Sequence, residues 1–141
     1  MMMAGKAYVV YGAGISGRGA VEVLARRGEQ VFLYNDNPCT VDEALVAAME
    51  ANGGGLVIGK ENYPELIAKA GTLVLSPGIP CDIPNVIMAE EQGLEVIAEV
   101  EFGYRIYGGH IAGITGTNGK TTTTTLVGTM LKCLPVPSAI G

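Results

Sequence analysis

The chain has 141 residues, 48% of them hydrophobic and 16% charged, which excludes a disordered polypeptide and allows a packed core. Nine Lys and Arg against fourteen Asp and Glu leave a formal charge of −5. That excludes a general nucleic-acid binder, which needs a basic face, so an anionic ligand here has to be held by local backbone groups.

Taken in chain order, short apolar runs alternate with longer amphipathic ones. Ala7–Tyr11 is the first predicted strand; it is too short for a signal-peptide core, and no apolar run reaches the roughly 18 residues of a membrane span. Gly17–Arg27 follows as a helix with Val21, Leu24 and Ala25 on one face. Val31–Tyr34 is the second strand. Thr40–Asn52 reads as a helix opened by a capping box, Thr40-Val41-Asp42-Glu43. Leu56–Ile58 is the third strand, and Pro64–Lys69 is a helix with Pro in its first turn and Gly71 after its end. Leu73–Leu75 and Glu95–Ile97 are strands flanking a helix, Pro84–Gln92, closed by Gly93. Glu99–Tyr107 reads as a helix, His110–Thr115 as a sixth strand, and Thr121–Leu134 as a helix with an apolar stripe of Leu126, Val127, Met130, Leu131 and Leu134.

Most of the strands are continuous Val/Ile/Leu runs, the pattern of strands covered on both faces. Strand–helix alternation then implies right-handed βαβ units. The fold class expected is α/β, a doubly wound Rossmann-like parallel sheet of about five strands over residues 1–103. The first strand, phosphate loop and helix of a second, ATPase-type domain follow over residues 104–141. The high glycine content, 21 residues without a collagen period, is read as turns and loops.

Two motifs carry chemistry. Gly12-Ala13-Gly14-Ile15-Ser16-Gly17 fits G-x-G-x-x-G between a strand and a helix, and Asp36 ends the next strand about twenty residues on. Gly12 allows the tight turn, Gly14 clears the backbone for a phosphate, and Gly17 lets helix and strand approach. The helix N-terminus then offers free N–H groups to an anion. NAD(P), FAD and a UDP-sugar all present a pyrophosphate and a ribose, so the motif alone does not choose among them. Asp36 is a candidate acceptor for base or ribose, or else an Asx-turn residue in Asn35-Asp36-Asn37-Pro38.

The second motif is Gly116-Thr117-Asn118-Gly119-Lys120-Thr121, followed by Thr122 to Thr125. Backbone N–H groups around Asn118 to Thr121 suit a β-phosphate, Lys120 the β/γ oxygens, and the Thr121 hydroxyl Mg²⁺. The strict pattern needs Gly at 114, where Ile114 stands, so the loop is a variant. Thr123 to Thr125 read as first-turn hydroxyls or packing. Cys39, Cys81 and Cys133 are widely spaced and read as reduced thiols of a cytoplasmic protein. His110, the single His, reads as structural, and Glu99 and Glu101 as solvated or inter-domain.

A dinucleotide-like first domain followed by Gly-Thr-Asn-Gly-Lys-Thr resembles the Mur ligase family, the ATP-dependent amino-acid ligases of peptidoglycan synthesis. Within it the chain looks most like the D-glutamate-adding branch. Asn118 stands where the L-alanine-adding branch usually has His. Leu75-Ser76-Pro77-Gly78-Ile79-Pro80 resembles the Ser-Pro-Gly-Ile loop of the D-glutamate branch, and Glu99-Val100-Glu101-Phe102 its domain junction.

That resemblance implies a UDP-N-acetylmuramoyl-L-alanine substrate held by the first domain, with D-glutamate as second substrate. Gly14, Ile15, Ser16 and Gly17 would meet the diphosphate, Asp36 and Asn37 the uracil and ribose, and Ser76, Pro77 and Gly78 the other side of the nucleotide. Gly116, Thr117, Asn118, Gly119, Lys120, Thr121 and Thr122 would hold ATP, with Lys120 and Thr121 serving catalysis and Thr121 binding Mg²⁺. The resemblance covers the first third or so of such an enzyme, so an N-terminal piece, inactive alone, is expected. Neither nucleic acid nor membrane is an expected partner. The apolar stripe after Thr121 predicts cover by the first domain or self-association. An NAD(P)-binding oxidoreductase module and a non-catalytic nucleotide-sensing domain are the competing readings.

Overall fold

The computed structural model describes residues 6–135 and 137–138. Two compact units divide at Gly108–Gly109, after an uninterrupted helix over residues 99–107.

The first unit holds a parallel sheet of strands β1 (Ala7–Tyr11), β2 (Val31–Asn35), β3 (Gly55–Ile58), β4 (Ala70–Leu75) and β5 (Glu95–Ala98). Their order is β3-β2-β1-β4-β5, every pair parallel. Helices α1 (Ile15–Arg26), α2 (Glu43–Ala51), α3 (Tyr63–Ala68) and α4 (Pro84–Glu91) make the crossovers, and α5 (Glu99–Tyr107) follows the last strand. The expected doubly wound α/β architecture is therefore present.

β1 is buried along its whole length, and its side chains alternate between two cores, as strand geometry dictates. Tyr8 and Val10 pack with Val21, Leu24, Met49 and Phe102 from α1, α2 and α5. Val9 and Tyr11 pack with Tyr63, Ile67, Val86 and Ala89 from α3 and α4. Burial on both faces is why these strands read as unbroken apolar runs. The α5 helix is fixed to β5 through Arg105, whose guanidinium reaches Glu95 at 2.6 Å and Glu101 at 2.7 Å. These two carboxylates raise the Arg105 pKa.

Four local expectations are corrected. The α2 cap is Asp42, whose carboxylate accepts from the Ala44 N–H at 2.8 Å, and α2 begins at Glu43; Thr40 and Val41 lie outside the helix. Gly71 does not terminate α3 but lies inside β4, where a Cβ would come within 2.7 Å of the Lys6 Cβ. Residues 110–115 form no strand. A strand needs a neighbour to satisfy its N–H and C=O groups, and among the described residues nothing pairs with this run.

The fourth concerns the last helix. In the second unit α6 spans Lys120–Leu131, so it stops short of Leu134. Its threonines lie in a helix despite poor propensity. Thr124, Thr125 and Thr129 each donate a side-chain hydroxyl to the carbonyl four residues back, at 2.8 Å, which satisfies the hydroxyls locally. Leu126, Met130 and Leu134 are exposed.

Candidate nucleotide-binding site

In an open parallel sheet, ligands bind beyond the carboxyl ends of the strands, where the strand order reverses. Here the reversal lies between β1 and β4. The expected residues fall at that end of the sheet. Gly12–Gly17 leaves β1, Asn35–Asn37 leaves β2, and Ser76–Gly78 leaves β4.

The glycine turn is built as its spacing implies. Gly12 has φ +108°, a conformation that disfavours side chains, and its N–H donates to the Tyr34 carbonyl at 2.9 Å. Gly14 caps α1 without a side-chain hydrogen bond and has nothing within 4 Å of an added Cβ. The first turn of α1 contains no acidic residue. Exposed Ile15 and half-buried Ser16 thus open a helix whose first N–H groups and positive dipole end suit an anion. Gly17 is buried, and a Cβ there would collide with the Gly12 carbonyl oxygen at 2.0 Å.

The β4 loop is joined to this turn. The Ser76 N–H donates to the Tyr11 carbonyl at 3.1 Å, and Ser76 Oγ donates to the Gly12 carbonyl at 3.1 Å. Ser76 is therefore buried and committed to the turn, whereas Pro77 and Gly78 are exposed, Gly78 at φ +96°.

Asp36 is half-buried and does not stand free. Tyr11 donates its hydroxyl to Oδ2 at 2.7 Å, and Tyr34 donates to Oδ1 at 2.8 Å. Asn85 Nδ2 lies 3.3 Å from Oδ1 and within 3.2 and 3.4 Å of the two hydroxyl oxygens. The Tyr11 and Tyr34 rings pack edge-on with centroids 4.8 Å apart, and Tyr63 lies against both. Burial first, then hydrogen bonding to Asp36, pushes the Tyr11 hydroxyl up to about 12 and raises Tyr34 as well. Asn37 is exposed beside this cluster.

Sequence reasoning missed several residues here. Arg18 donates from Nε to the Ala13 carbonyl at 2.8 Å and from Nη2 to the Thr40 carbonyl at 2.6 Å, tying the glycine turn to the loop after β2. Asn35 accepts from the Ala13 N–H at 3.2 Å and donates to the Asn37 carbonyl at 2.8 Å. Arg18 lies within the first turn of α1, where a basic residue could have been noticed. Tyr11, Tyr34 and Asn85 carry no local signal.

In the second unit the loop before α6 is a separate, open cradle. Thr117, Asn118, Gly119, Lys120, Thr121 and Thr122 line a concavity of about 260 Å³. Gly116 and Gly119 have φ +153° and +78°, and an added Cβ on Gly119 would meet nothing within 4 Å. Gly119 caps α6 without a side-chain bond, and no acid occupies the first turn. Lys120 Nζ donates to the Gly116 carbonyl at 2.5 Å, bending the ammonium over the loop's own backbone. Amides, an ammonium and a hydroxyl are the donor set a polyphosphate with its magnesium requires. Among the described residues no group of three or more His, Cys, Asp and Glu could hold a metal ion.

Residues 6–98 match the family model described as Mur ligase MurD-like, N-terminal domain. The chain belongs to the MurD-like Mur ligases. It is 40% identical over 132 residues to UDP-N-acetylmuramoylalanine--D-glutamate ligase of Lachnoclostridium phytofermentans, covering 94% of this chain and 29% of that protein. It is 39% identical over 131 residues to the same-named ligase of Lachnospira eligens, covering 93% and 29%. The chain thus spans less than a third of the length of these MurD-type relatives. A solved murein peptide ligase from Psychrobacter arcticus shares the fold, with a TM-score of 0.59 at 19% identity over 91% of this chain and 26% of that one. Cys39, Cys81 and Cys133 form no disulfide, and among the described residues no helix is long and apolar enough to cross a membrane.

Proposed function

We propose that this chain is the nucleotide-binding N-terminal part of a cytoplasmic ATP-dependent ligase that joins D-glutamate to UDP-N-acetylmuramoyl-L-alanine. Residues 1–103 form the UDP-sugar domain, and residues 104–141 open the ATP-binding domain. The N–H groups of Ile15, Ser16 and Gly17 receive the diphosphate. Asp36 and Asn37 face the nucleoside, and Pro77 and Gly78, with Ser76 bracing them from beneath, border its other side.

In the second cradle the amides of Gly116 to Thr122 hold the phosphates of ATP, Lys120 neutralises β/γ charge, and Thr121 contributes a hydroxyl to magnesium. The reaction served is activation of the alanine carboxylate as an acyl phosphate, followed by attack of the D-glutamate amine. The chain spans less than a third of the length of its relatives, and by itself it is expected to form no amide.

The observation that carries this reading is the second amide cradle, Gly116–Thr122, in a chain whose first domain belongs to the MurD-like family. An NAD(P) module accounts for Gly12–Gly17 but leaves Lys120 without a task. Titration calorimetry with UDP-N-acetylmuramoyl-L-alanine and with NADH separates the two. Heat from the UDP-sugar and none from NADH is expected, and the reverse would end the ligase reading.

A further inference from the structure

Three side chains from three elements converge on one carboxylate. Tyr11 ends β1, Tyr34 lies in β2, and Asn85 occupies the first turn of α4, the helix that follows the Ser76–Pro80 loop. A carboxylate has about four acceptor positions. Tyr11 fills one on Oδ2 and Tyr34 one on Oδ1, while the two N–H groups of Asn85 Nδ2 are shared among Oδ1 and the two hydroxyl oxygens, all within 3.4 Å. Because both hydroxyl hydrogens are committed to Asp36, the hydroxyl oxygens are left to accept from the Asn85 amide. Donation therefore runs one way, from Asn85 to the hydroxyl oxygens or to Asp36 itself, and from both hydroxyls to Asp36, so that each bond polarises the next.

The platform under this network is buried and closely packed. The Tyr11 and Tyr34 rings are 1% and 0% exposed and packed against Tyr63. Asn85 also reaches across β1, linking the β4 side of the crevice to the β2 side.

We propose that Asn85, together with the Tyr11 and Tyr34 hydroxyls, forms a positioning set for nucleotide recognition that acts through Asp36. The set fixes the position and orientation of the carboxylate that meets the nucleotide. This inference rests on the reading of the crevice as a UDP site and extends it to residues that do not touch the ligand.

The test is a double-mutant cycle, with UDP as the probe and calorimetry on the 141-residue chain. Asn85→Ala and Tyr11→Phe are each expected to weaken UDP binding about fivefold, the effect of one net hydrogen bond. In an Asp36→Ala background neither is expected to weaken it further, since their effect passes through that carboxylate. Single variants that bind UDP like the parent would overturn the proposal, as would losses that add fully in the double variants. Tyr11→Phe keeps the ring in the core, so it carries the test if circular dichroism shows Asn85→Ala to be unfolded. If the parent chain binds no UDP, the function reading fails together with this inference. UDP binding by the parent with an additive pattern overturns the inference alone.

Discussion

The Gly12 carbonyl oxygen occupies the space where a side chain on Gly17 would begin: a Cβ there would lie 2.0 Å from that oxygen and 2.7 Å from Ser76 Oγ. The oxygen belongs to backbone held on both sides by β2 and β4, so it has little room to yield. Gly17→Ala is expected to lower unfolding free energy by about 3 kcal/mol or more, the upper range for overpacking, and to disturb the turn. Gly14→Ala meets open space at an ordinary φ of −70° and is expected to cost about 0.5 kcal/mol as a poorer cap. Urea denaturation of the two variants reads the contrast. Equal midpoints would show that the collision is relieved by movement.

Alkaline stability follows from the tyrosines. Tyr11 is raised from 10.0 to about 12, and Tyr34 is raised too. Between these values the unfolded chain has lost the phenolic proton and the folded chain keeps it. The associated stability is therefore complete below about pH 10 and is lost as pH rises toward 12. Tyr11→Phe should show a shallower decline in denaturation midpoint over that window. An unchanged slope would remove Tyr11 as a source of it.

The cap assignment at α2 can be checked by substitution. Asp42→Ala removes the acceptor for the Ala44 and Leu45 N–H groups and is expected to cost about 1 kcal/mol. Thr40→Ala is expected to stay within about 0.5 kcal/mol. The reverse order in thermal melts would restore Thr40 as the cap.

Arg18 holds two backbone carbonyls from one planar group. Arg18→Lys offers a single flexible ammonium in its place. A loss of about 1 kcal/mol is expected, together with faster amide hydrogen exchange in residues 13–17. Parent-like exchange in that segment would show that the turn does not depend on the guanidinium.

The sheet was legible in the sequence because strands buried on both faces leave no polar alternation to confuse the reading. The glycine turn was legible because its geometry is set by residues a few positions apart. The start of α2 was not, since Thr40 and Asp42 are both good caps and only the path of the chain decides between them. Residues 110–115 have the composition of a strand, but forming one depends on a neighbouring strand and not on composition alone. The Asp36 cluster was hidden because Asn85 lies 74 positions from Tyr11, and only the sheet order brings them together. The roles of Lys120 and Thr121 were suggested by local spacing, and their open cradle is compatible with that spacing.

The alternation along β1 makes that strand intolerant of any change in length. Deleting one residue ahead of Tyr11 would turn the tyrosine toward α1 and leave Gly12 in its place beside Asp36, emptying one core of a ring and crowding the other. Natural or engineered variants of this domain should therefore place their insertions and deletions beyond the strand ends, as in the stretch between Asn37 and Asp42, where no such exchange of faces follows.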